Sequence, residues 1–285
     1  MAGTQKRSAA VTGAGSGLGR DIALGLAAKD YRVFGTAMSP EEIADLGQAS
    51  GRTVTLSRCD ITDEAAVKDW AREVRAKTEG GLNLLISNAG ILTPGPLEVL
   101  PLSAIRREFD VNVFGALAVV NAFLPALREA RGRIVQVSTW TATLPLPFNG
   151  PSGASKAAME VFATVYRAEL KPFGIDVVVV AAGNMKTGGP AKTAAALTRV
   201  ADGMTSEQRG LYGHTFESFA TALNGMQSSG LDSASAAKKV IELAEQVPAP
   251  SRAPVGPDAA EILRVVREKS DAEQDAVRLQ LVGLG

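Results

Sequence analysis

Four glycines close to the start of the chain suggest a phosphate-binding turn. The run TGAGSGLG over residues 12–19 contains Gly13, Gly15, Gly17 and Gly19, separated in part by Ser16 and Leu18. Glycine lets the backbone turn sharply and approach a diphosphate closely, and the N-terminus of a following helix offers free N–H groups and a positive dipole end. Because an apolar run precedes this turn and a helical pattern follows it, the turn predicts a dinucleotide site.

The elements around the turn alternate between short apolar runs and amphipathic segments. Strands are predicted over 8–13, 31–37, 53–60, 82–90, 131–140 and 175–183. Helices are predicted over 18–29, 39–46, 62–78, 103–130, 152–171, near 190–200, 206–226 and 233–246, and from 257 onward, with an extended segment over 251–256. This alternation predicts an α/β fold: one doubly wound, Rossmann-type domain over 1–285, with a parallel sheet and helices on both faces. Residues 184–232 are expected to be an insertion after strand six.

The composition limits the possible partners. Lys and Arg total 30, as do Asp and Glu, and a net charge of zero argues against binding of nucleic acid or an anionic membrane. One cysteine, Cys59, excludes an internal disulfide, and with one histidine, His214, no metal site is expected. No run of eighteen apolar residues and no signal-peptide pattern is found. We therefore expect a cytoplasmic protein with no membrane partner.

A series of motifs over nearly the whole chain resembles the short-chain dehydrogenase/reductase family. In chain order it consists of the turn at 12–19, Asp60, Asn88-Ala89-Gly90, Asn112, Ser138 and the run ASK ending at Lys156. The later stretch PAPSRAPVGPDA over 248–259 is similar to the hydroxysteroid and retinol dehydrogenase branch. The resemblance implies a nicotinamide coenzyme lying across the carboxyl ends of the strands.

The resemblance also implies roles for single residues. Asp60 would hydrogen-bond the adenine, Asn88 would support the strand beside the adenosine ribose, and Thr187 would contact the nicotinamide amide. Further coenzyme contacts are expected from Gly13, Gly15, Ser16, Gly17, Leu18, Gly19, Met38, Ile61, Ala89, Gly90 and Gly183. Lys156 would hold the nicotinamide ribose, Ser138 would orient the substrate oxygen, and Asn112 would order a water beside Lys156. The expected catalytic set is Asn112, Ser138, Ser152 and Lys156.

The end of the second strand bears on the choice of coenzyme. An acid there would bond the ribose 2′-hydroxyl of NAD(H) and repel a 2′-phosphate. Residues 36–39 read Thr-Ala-Met-Ser, with neither an acid nor a basic residue, while Arg20, Thr36 and Ser39 could receive a 2′-phosphate. The sequence therefore favours NADP(H) over NAD(H).

The Tyr-x-x-x-Lys signature of the family is incomplete. Ser152 stands four residues before Lys156, on the same helix face, where the tyrosine would be. A phenol titrates near 10 but an aliphatic hydroxyl close to water, about 15.7, so closing the gap would take roughly 7 kcal/mol. Serine is also one ring shorter, and it could instead serve as a helix N-cap. In addition, Ala182-Gly183 replaces the family's usual Pro-Gly.

Three functions remain open after this departure. In the first, the protein is a carbonyl reductase or alcohol dehydrogenase, and Tyr212 or His214 of the insertion supplies the proton. In the second, it is a non-redox enzyme (a cyclase, isomerase or lyase) whose coenzyme is structural or lost. In the third, it is non-catalytic or a deliberately disabled reductase, since one base change converts a tyrosine codon to a serine codon.

The insertion 184–232 is predicted to cover the substrate as a lid. Its apolar residues are Leu197, Met204, Leu211, Tyr212, Phe216, Phe219, Leu223 and Met226, and Trp140, Leu144, Leu146 and Phe148 stand near the strand ends. We expect a hydrophobic small-molecule substrate, with Trp140, Phe148, Tyr212 and His214 in the pocket; the alternative is that these residues pack the insertion onto the body.

Assembly is expected by resemblance alone. Family members commonly pair through the helices at 103–130 and 152–171, which implies a homodimer or homotetramer. The apolar residues expected at this interface are Phe109, Val113, Phe114, Leu117, Val161, Phe162 and Val165.

Overall fold

A computed structural model of the chain describes residues 6–79, 81–186 and 189–285. Its strands are β1 (Ser8–Val11), β2 (Arg32–Ala37), β3 (Val54–Arg58), β4 (Leu84–Ser87), β5 (Arg133–Thr139), β6 (Asp176–Ala182), β7 (Met185–Lys186), β8 (Leu231–Asp232) and β9 (Arg252–Val255). Seven of them form a parallel sheet in the order β3-β2-β1-β4-β5-β6-β9, and β7 pairs with β8. The predicted parallel α/β fold is confirmed, and the extended segment before residue 257 becomes the seventh strand.

Eleven α-helices are found in the part of the chain that the structure describes. They are α1 (Gly17–Ala28), α2 (Pro40–Ala49), α3 (Glu64–Lys77), α4 (Leu102–Phe109), α5 (Ala116–Ala130), α6 (Gly150–Leu170), α7 (Gly189–Gly203), α8 (Ser206–Ser229), α9 (Ser233–Glu245), α10 (Pro257–Glu268) and α11 (Asp271–Leu281). Helices α1 and α9 bury their apolar residues against one face of the sheet, and α3, α5 and α6 bury theirs against the other. Each face is covered because a parallel sheet must bury both.

The strand order reverses between β1 and β4, which are neighbours although β2 and β3 lie between them in the chain. At such a switch point the following loops diverge to opposite faces, and this leaves a crevice at the carboxyl ends of the two strands. The glycine turn follows β1, and Asn88 follows β4 directly. The topology therefore places both motifs at the mouth of one crevice.

The helix predicted over 103–130 is interrupted. A π-helical turn, Asp110–Gly115, separates α4 from α5. At Gly115 a Cβ would lie only 2.9 Å from Cγ1 of Ile61, so this turn packs closely on the segment after β3. π-Turns are frequent at functional sites, and this one contains Asn112.

Residues Leu102–Ala130 are long and apolar enough to cross a membrane by length and composition alone. Half of the most apolar stretch is buried inside the fold. Val119, Val120 and Phe123 of α5 lie in the core beneath the sheet, where Phe123 meets the edge of Trp70. The burial pattern is that of a core helix.

The segment 184–232, expected to be an insertion, consists mainly of α7 and α8, and the pairing of β7 with β8 joins its two ends. Most of its apolar residues are buried in a third cluster, together with Trp140, Leu144, Leu146 and residues of α10 and α11. The ring of Phe148 packs edge-on against Phe216 and Phe219, with centroids 5.7 and 5.6 Å apart. Packing of the insertion onto the body therefore accounts for many residues that could also have lined a pocket.

Candidate active site

The glycine turn is shaped as an anion cradle. Gly13 and Gly17 have φ values of 65° and 55°, in the left-handed region that favours glycine. A Cβ at Gly19 would lie 2.2 Å from the carbonyl oxygen of Gly13, so no side chain fits there. Ser16 precedes α1 without capping it through its side chain, which leaves the first N–H groups of that helix available to an anion. These residues fit a diphosphate group.

The cradle is tied to the strand next to it by Thr12. Its Oγ1 accepts hydrogen bonds from the backbone N–H groups of Asn88 (2.9 Å) and Ala89 (3.0 Å). The Asn88 side chain in turn donates from Nδ2 to the Thr12 carbonyl at 3.0 Å. On the other side, the N–H of Gly13 donates to Thr36 Oγ1 at 3.0 Å. These bonds fix the glycine turn relative to the ends of β2 and β4.

Gly90, Asn112 and Lys156 lie together beside this crevice. A Cβ at Gly90 would be 3.1 Å from Asn112 Oδ1 and 3.2 Å from Lys156 Nζ. Lys156 Nζ donates to the carbonyl of Val137 at 3.1 Å. The structure thus brings three residues from separate sequence motifs into one cluster.

The Asn112 side chain is buried and fully engaged by protein atoms. Its Oδ1 accepts from the N–H of Ile91 at 2.8 Å, and its Nδ2 donates to the Ile91 carbonyl and to Ser155 Oγ, both at 3.0 Å. A longer bond of 3.3 Å runs from Nδ2 to Glu108 Oε1. This side chain therefore braces the loop after β4 against α6.

Two titratable groups near this cluster have shifted pKa values. Desolvation lowers the pKa of Lys156 to about 8, against the opposing attraction of Glu108 and Glu160. Burial raises the pKa of Glu108 to about 7, and its Oε2 is buried without a hydrogen-bond partner. Both groups consequently titrate near neutral pH.

A cavity of about 590 Å³ opens above this cluster, between the strand ends and the insertion. Its lining includes seven residues expected at the site: Leu18, Asn88, Gly90, Trp140, Ser152, Lys156 and Gly183. Ser152 is 8% exposed and lies in the first turn of α6, whose N-cap position belongs to Asn149. The expected sharing of one helix face by Ser152 and Lys156 is confirmed.

The hydroxyl expected to orient the substrate lies elsewhere. Ser138 donates from Oγ to Glu160 Oε1 at 2.6 Å and does not line the cavity, whereas Thr139 does. Successive side chains of a strand point to opposite faces, so only one of two adjacent hydroxyls can face the crevice. Ser138, expected at the site, therefore does not line the cavity, and the adjacent Thr139 does.

Three residues expected in the pocket do not line the cavity. Tyr212 donates its phenolic hydroxyl to Glu98, His214 is exposed on α8, and Phe148 packs into the third apolar cluster. The sequence placed them on the lid or at the strand ends but could not show which way their helix or loop would face. Neither Tyr212 nor His214 lines the cavity that contains Lys156. Thr187 lies outside the described residues.

Asp60 and Ile61 follow β3, the edge strand next to β2. Asp60 Oδ1 accepts from the N–H of Thr62 at 3.0 Å and from its hydroxyl at 2.8 Å, and Ile61 is buried. The Asp60 carboxylate is exposed, so it remains accessible to a ligand. Met38 is 57% exposed at the end of β2.

An acid missed by the sequence analysis occupies the corner between β2 and the glycine turn. Glu42 Oε2 accepts from the N–H of Met38 at 3.1 Å. The same oxygen lies 2.6 Å from the position that a Cβ on Gly15 would take. The spacing could have indicated this contact. Glu42 lies in the first turn of α2, four residues after Met38, so its side chain can reach back to the backbone at the end of β2. The absence of an acid from residues 36–39 therefore does not leave this corner without one.

Comparisons with known proteins agree with this geometry. The family model described as short chain dehydrogenase matches residues 7–197. The chain is 34% identical over 185 residues to an NADPH-dependent 1-acyldihydroxyacetone phosphate reductase of Schizosaccharomyces pombe, a match covering 65% of this chain and 62% of that protein. It is also 34% identical over 186 residues to mouse estradiol 17-beta-dehydrogenase 2, covering 64% and 49% of the two chains. The matched segment thus spans less than two thirds of the length of the first relative and about half of the length of the second.

Among solved structures, a short-chain dehydrogenase from Streptomyces avermitilis superposes with a TM-score of 0.79 at 27% identity, covering 99% of this chain and 97% of the other. The similarity therefore extends through the insertion and the C-terminal helices, beyond the segment matched by the family model. Together with the glycine turn and the Asn112–Lys156 cluster, these matches establish that the chain belongs to the short-chain dehydrogenase family.

Proposed function

We propose that the protein is a nicotinamide-dependent oxidoreductase that interconverts a carbonyl and an alcohol on a small molecule, with Lys156 as its proton donor and acceptor. The observation that carries this proposal is the position of Lys156 Nζ. It lies in the wall of the cavity, beside Gly90 at the switch-point crevice, and shares that wall with Thr139 and Ser152. A bound nicotinamide would supply or accept the hydride.

The chain's own residues would divide the remaining work. The hydroxyl of Thr139 would hydrogen-bond the substrate oxygen and orient it. The Lys156 ammonium, with a pKa of about 8, is an acid matched to neutral pH and would deliver the proton. The Ser152 hydroxyl is too weak an acid for this step but would hold the substrate oxygen, or a bridging water, in line with Nζ. No phenol is needed in this arrangement.

The coenzyme preference follows from Glu42. A carboxylate at the end of β2 can accept from a ribose 2′-hydroxyl and repels a 2′-phosphate. The sequence favoured NADP(H) because residues 36–39 contain no acid and Arg20, Thr36 and Ser39 could receive a 2′-phosphate. The position of Glu42 weighs against the first of these two grounds. We therefore propose NAD(H) over NADP(H), although the Schizosaccharomyces pombe relative is named as NADPH-dependent.

The proposal is tested in two steps. First, calorimetry of the protein with NADH and NADPH should give binding heat; no heat with either would refute the dinucleotide site. Second, single-turnover oxidation of bound NADH is followed with a panel of aryl ketones and oxo acids, in the wild type and in Lys156→Met. We expect turnover with at least one carbonyl compound and its loss in the variant. Turnover of a substrate without NADH consumption would instead identify a non-redox enzyme.

An assembly through one helical face is proposed from exposed apolar residues. Phe114, Val161 and Val165 are 61%, 64% and 45% exposed, on the π-turn and on α6. Val113, by contrast, is buried with Met159 inside the protomer and is removed from the expected interface. We expect a homodimer by light scattering at micromolar concentration, and a monomeric mass there would contradict it.

A further inference from the structure

The lid side of the cavity has two cationic residues without an ionic partner. Lys192 and Arg199 of α7 both line the cavity and are exposed. Neither has a hydrogen bond or ion pair with a described residue, so both charges are free on the cavity side of α7. A cation left free at the wall of a cavity is available to a ligand.

The spacing along α7 puts these cations on one face. Lys192, Ala196 and Arg199 are four and three residues apart, and all three line the cavity. Residues at this spacing are neighbours on a helix surface. The cavity-facing side of α7 therefore carries two cations, with Thr193 and Ala196 between them.

The charge of the cavity wall is one-sided. The described residues that line it include three cationic side chains, those of Lys156, Lys192 and Arg199, and no carboxylate. The protein as a whole carries equal numbers of acids and bases. A cavity of one sign with low-dielectric walls concentrates ligands of the opposite charge.

Unsatisfied polar atoms in the same wall also point to a ligand. Asn149 is 5% exposed, and its Oδ1 is buried without a hydrogen-bond partner. Gln227 Oε1, across the cavity on α8, is likewise buried and unpartnered. Buried polar atoms are normally hydrogen-bonded. Both of these oxygens are acceptors, so they would pair with water or with a hydroxyl or N–H group of a ligand, and not with its anionic group.

An apolar groove continues from the cavity past Arg199. It has a volume of about 380 Å³ and shares Leu92, Ala196 and Arg199 with the cavity. Its other lining residues are mostly apolar: Pro94, Val99, Leu100, Pro101, Ala104 and Val200. Arg199 thus stands at the junction between a polar cavity and an apolar channel.

We infer that the substrate is an amphiphilic anion: a carboxylate or phosphate held by Lys192 and Arg199, joined to a hydrocarbon portion that lies in this groove. The placement of its reacting carbonyl at Thr139 and Lys156 rests on the proposed function. The anion site itself does not, because it is defined by α7 and the groove. The guanidinium of Arg199 can grip either anion bidentately, and the ammonium of Lys192 serves as a point charge.

The experiment measures binding with three eight-carbon probes: octanoate, octyl phosphate and 1-octanol. Trp140 lines the cavity, and the only other tryptophan, Trp70, is buried in the core against Phe123, so quenching of tryptophan fluorescence reports occupancy. Titrations are run on the wild type, on Lys192→Met/Arg199→Met and on Arg209→Met, with and without saturating NADH. Arg209 is an exposed cation of α8 that does not line the cavity and serves as the matched control.

We expect octanoate or octyl phosphate to bind at least tenfold more tightly than 1-octanol, and the double variant to abolish that difference while Arg209→Met retains it. Comparison of the two anions identifies the preferred head group. Equal affinity for 1-octanol and the anions would overturn the inference. So would a double variant that loses NADH affinity but keeps octanoate affinity, because the two cations would then serve the coenzyme diphosphate. Absence of NADH binding alone would refute the proposed function and leave the anion site standing.

Discussion

Ser138 and Glu160 form a 2.6 Å hydrogen bond between β5 and α6, on the side of the strand away from the cavity. Glu160 also pairs with Arg252 of β9, so the bond belongs to a small network that joins α6 to two strands of the sheet. Thr139, the next residue along β5, lines the cavity instead. The two adjacent hydroxyls therefore face opposite sides of β5, and of the two only that of Thr139 lies at the cavity.

This separation predicts opposite effects of two substitutions. Thr139→Val keeps the shape of the side chain but removes its hydroxyl, and it should lower kcat for carbonyl reduction on the order of 10²-fold. Its effect on Tm should be small, because that hydroxyl accepts only long bonds of 3.4 Å from the N–H and the hydroxyl of Thr141. Ser138→Ala should instead lower Tm, because Glu160 loses a buried partner, and leave kcat within a few-fold. Steady-state kinetics and thermal melts of both variants check this. A larger kcat loss in Ser138→Ala than in Thr139→Val would reverse the assignment.

Ser152 predicts a gain of function. A tyrosine there would bring a phenol, with an ordinary pKa near 10, next to the Lys156 ammonium, which would lower that pKa further. Ser152→Tyr should raise the rate of ketone reduction by on the order of 10²-fold. Ser152→Phe has the ring without the hydroxyl and is the matched control. Equal rates of ketone reduction in Ser152→Tyr and Ser152→Phe would show that the phenolic hydroxyl takes no part in proton transfer.

The pKa of Lys156 predicts opposite pH profiles for the two directions of the reaction. Carbonyl reduction needs the ammonium as acid, so kcat should fall as the pH rises through about 8. Alcohol oxidation needs the neutral amine as base, so kcat should rise through the same pH. Profiles measured between pH 6 and 10, roughly two units either side of that pKa, provide the check. Two profiles that fall together would exclude Lys156 as the shared group.

Glu42 predicts a change in coenzyme selectivity. Glu42→Gln removes the charge that repels a 2′-phosphate, so the ratio of the NADPH to the NADH dissociation constant should fall by about tenfold. Glu41→Gln removes an exposed acid one residue away and should leave the ratio unchanged. Calorimetric titrations of both variants measure it without any turnover. An unchanged ratio in Glu42→Gln would remove the basis for the proposed NAD(H) preference.

Glu108 predicts a pH-dependent stability. Burial raises the pKa of its carboxyl from 4.5 to about 7 in the folded protein, so the folded state binds the proton more tightly than the unfolded state. The resulting stabilisation is complete below about pH 4.5 and is lost as the pH rises through about 7, a change of about 3 kcal/mol. Glu108→Gln should stay neutral and gain Tm over the wild type at pH 8 but not at pH 4.5.

The control for this prediction is Asp110→Asn, which neutralises an exposed acid two residues along the chain. Its Tm difference from the wild type should not follow the same pH window. A Glu108→Gln variant whose Tm difference is constant between pH 4.5 and 8 would contradict the buried-acid assignment.

The sequence by itself determined the parallel α/β fold, the glycine turn and the positions of Asn88, Asn112 and Lys156. These depend on local patterns: apolar periodicity, glycine where the backbone must come close, and spacing within one helix. The placement of Ser152 and Lys156 on one helix face also follows from a local pattern, because residues four apart in a helix lie on the same face.

Only the tertiary structure decided which side chains meet at the site. Whether Ser138 or Thr139 lines the cavity depends on which face of β5 is turned toward it. The sequence of one strand does not reveal that orientation. Tyr212 and His214 were separated from Lys156 by the way α8 packs, and Glu42 reached the end of β2 because α2 folds back over it. Contacts between distant segments arise from packing of whole elements, and that packing is not encoded in any short stretch of the chain.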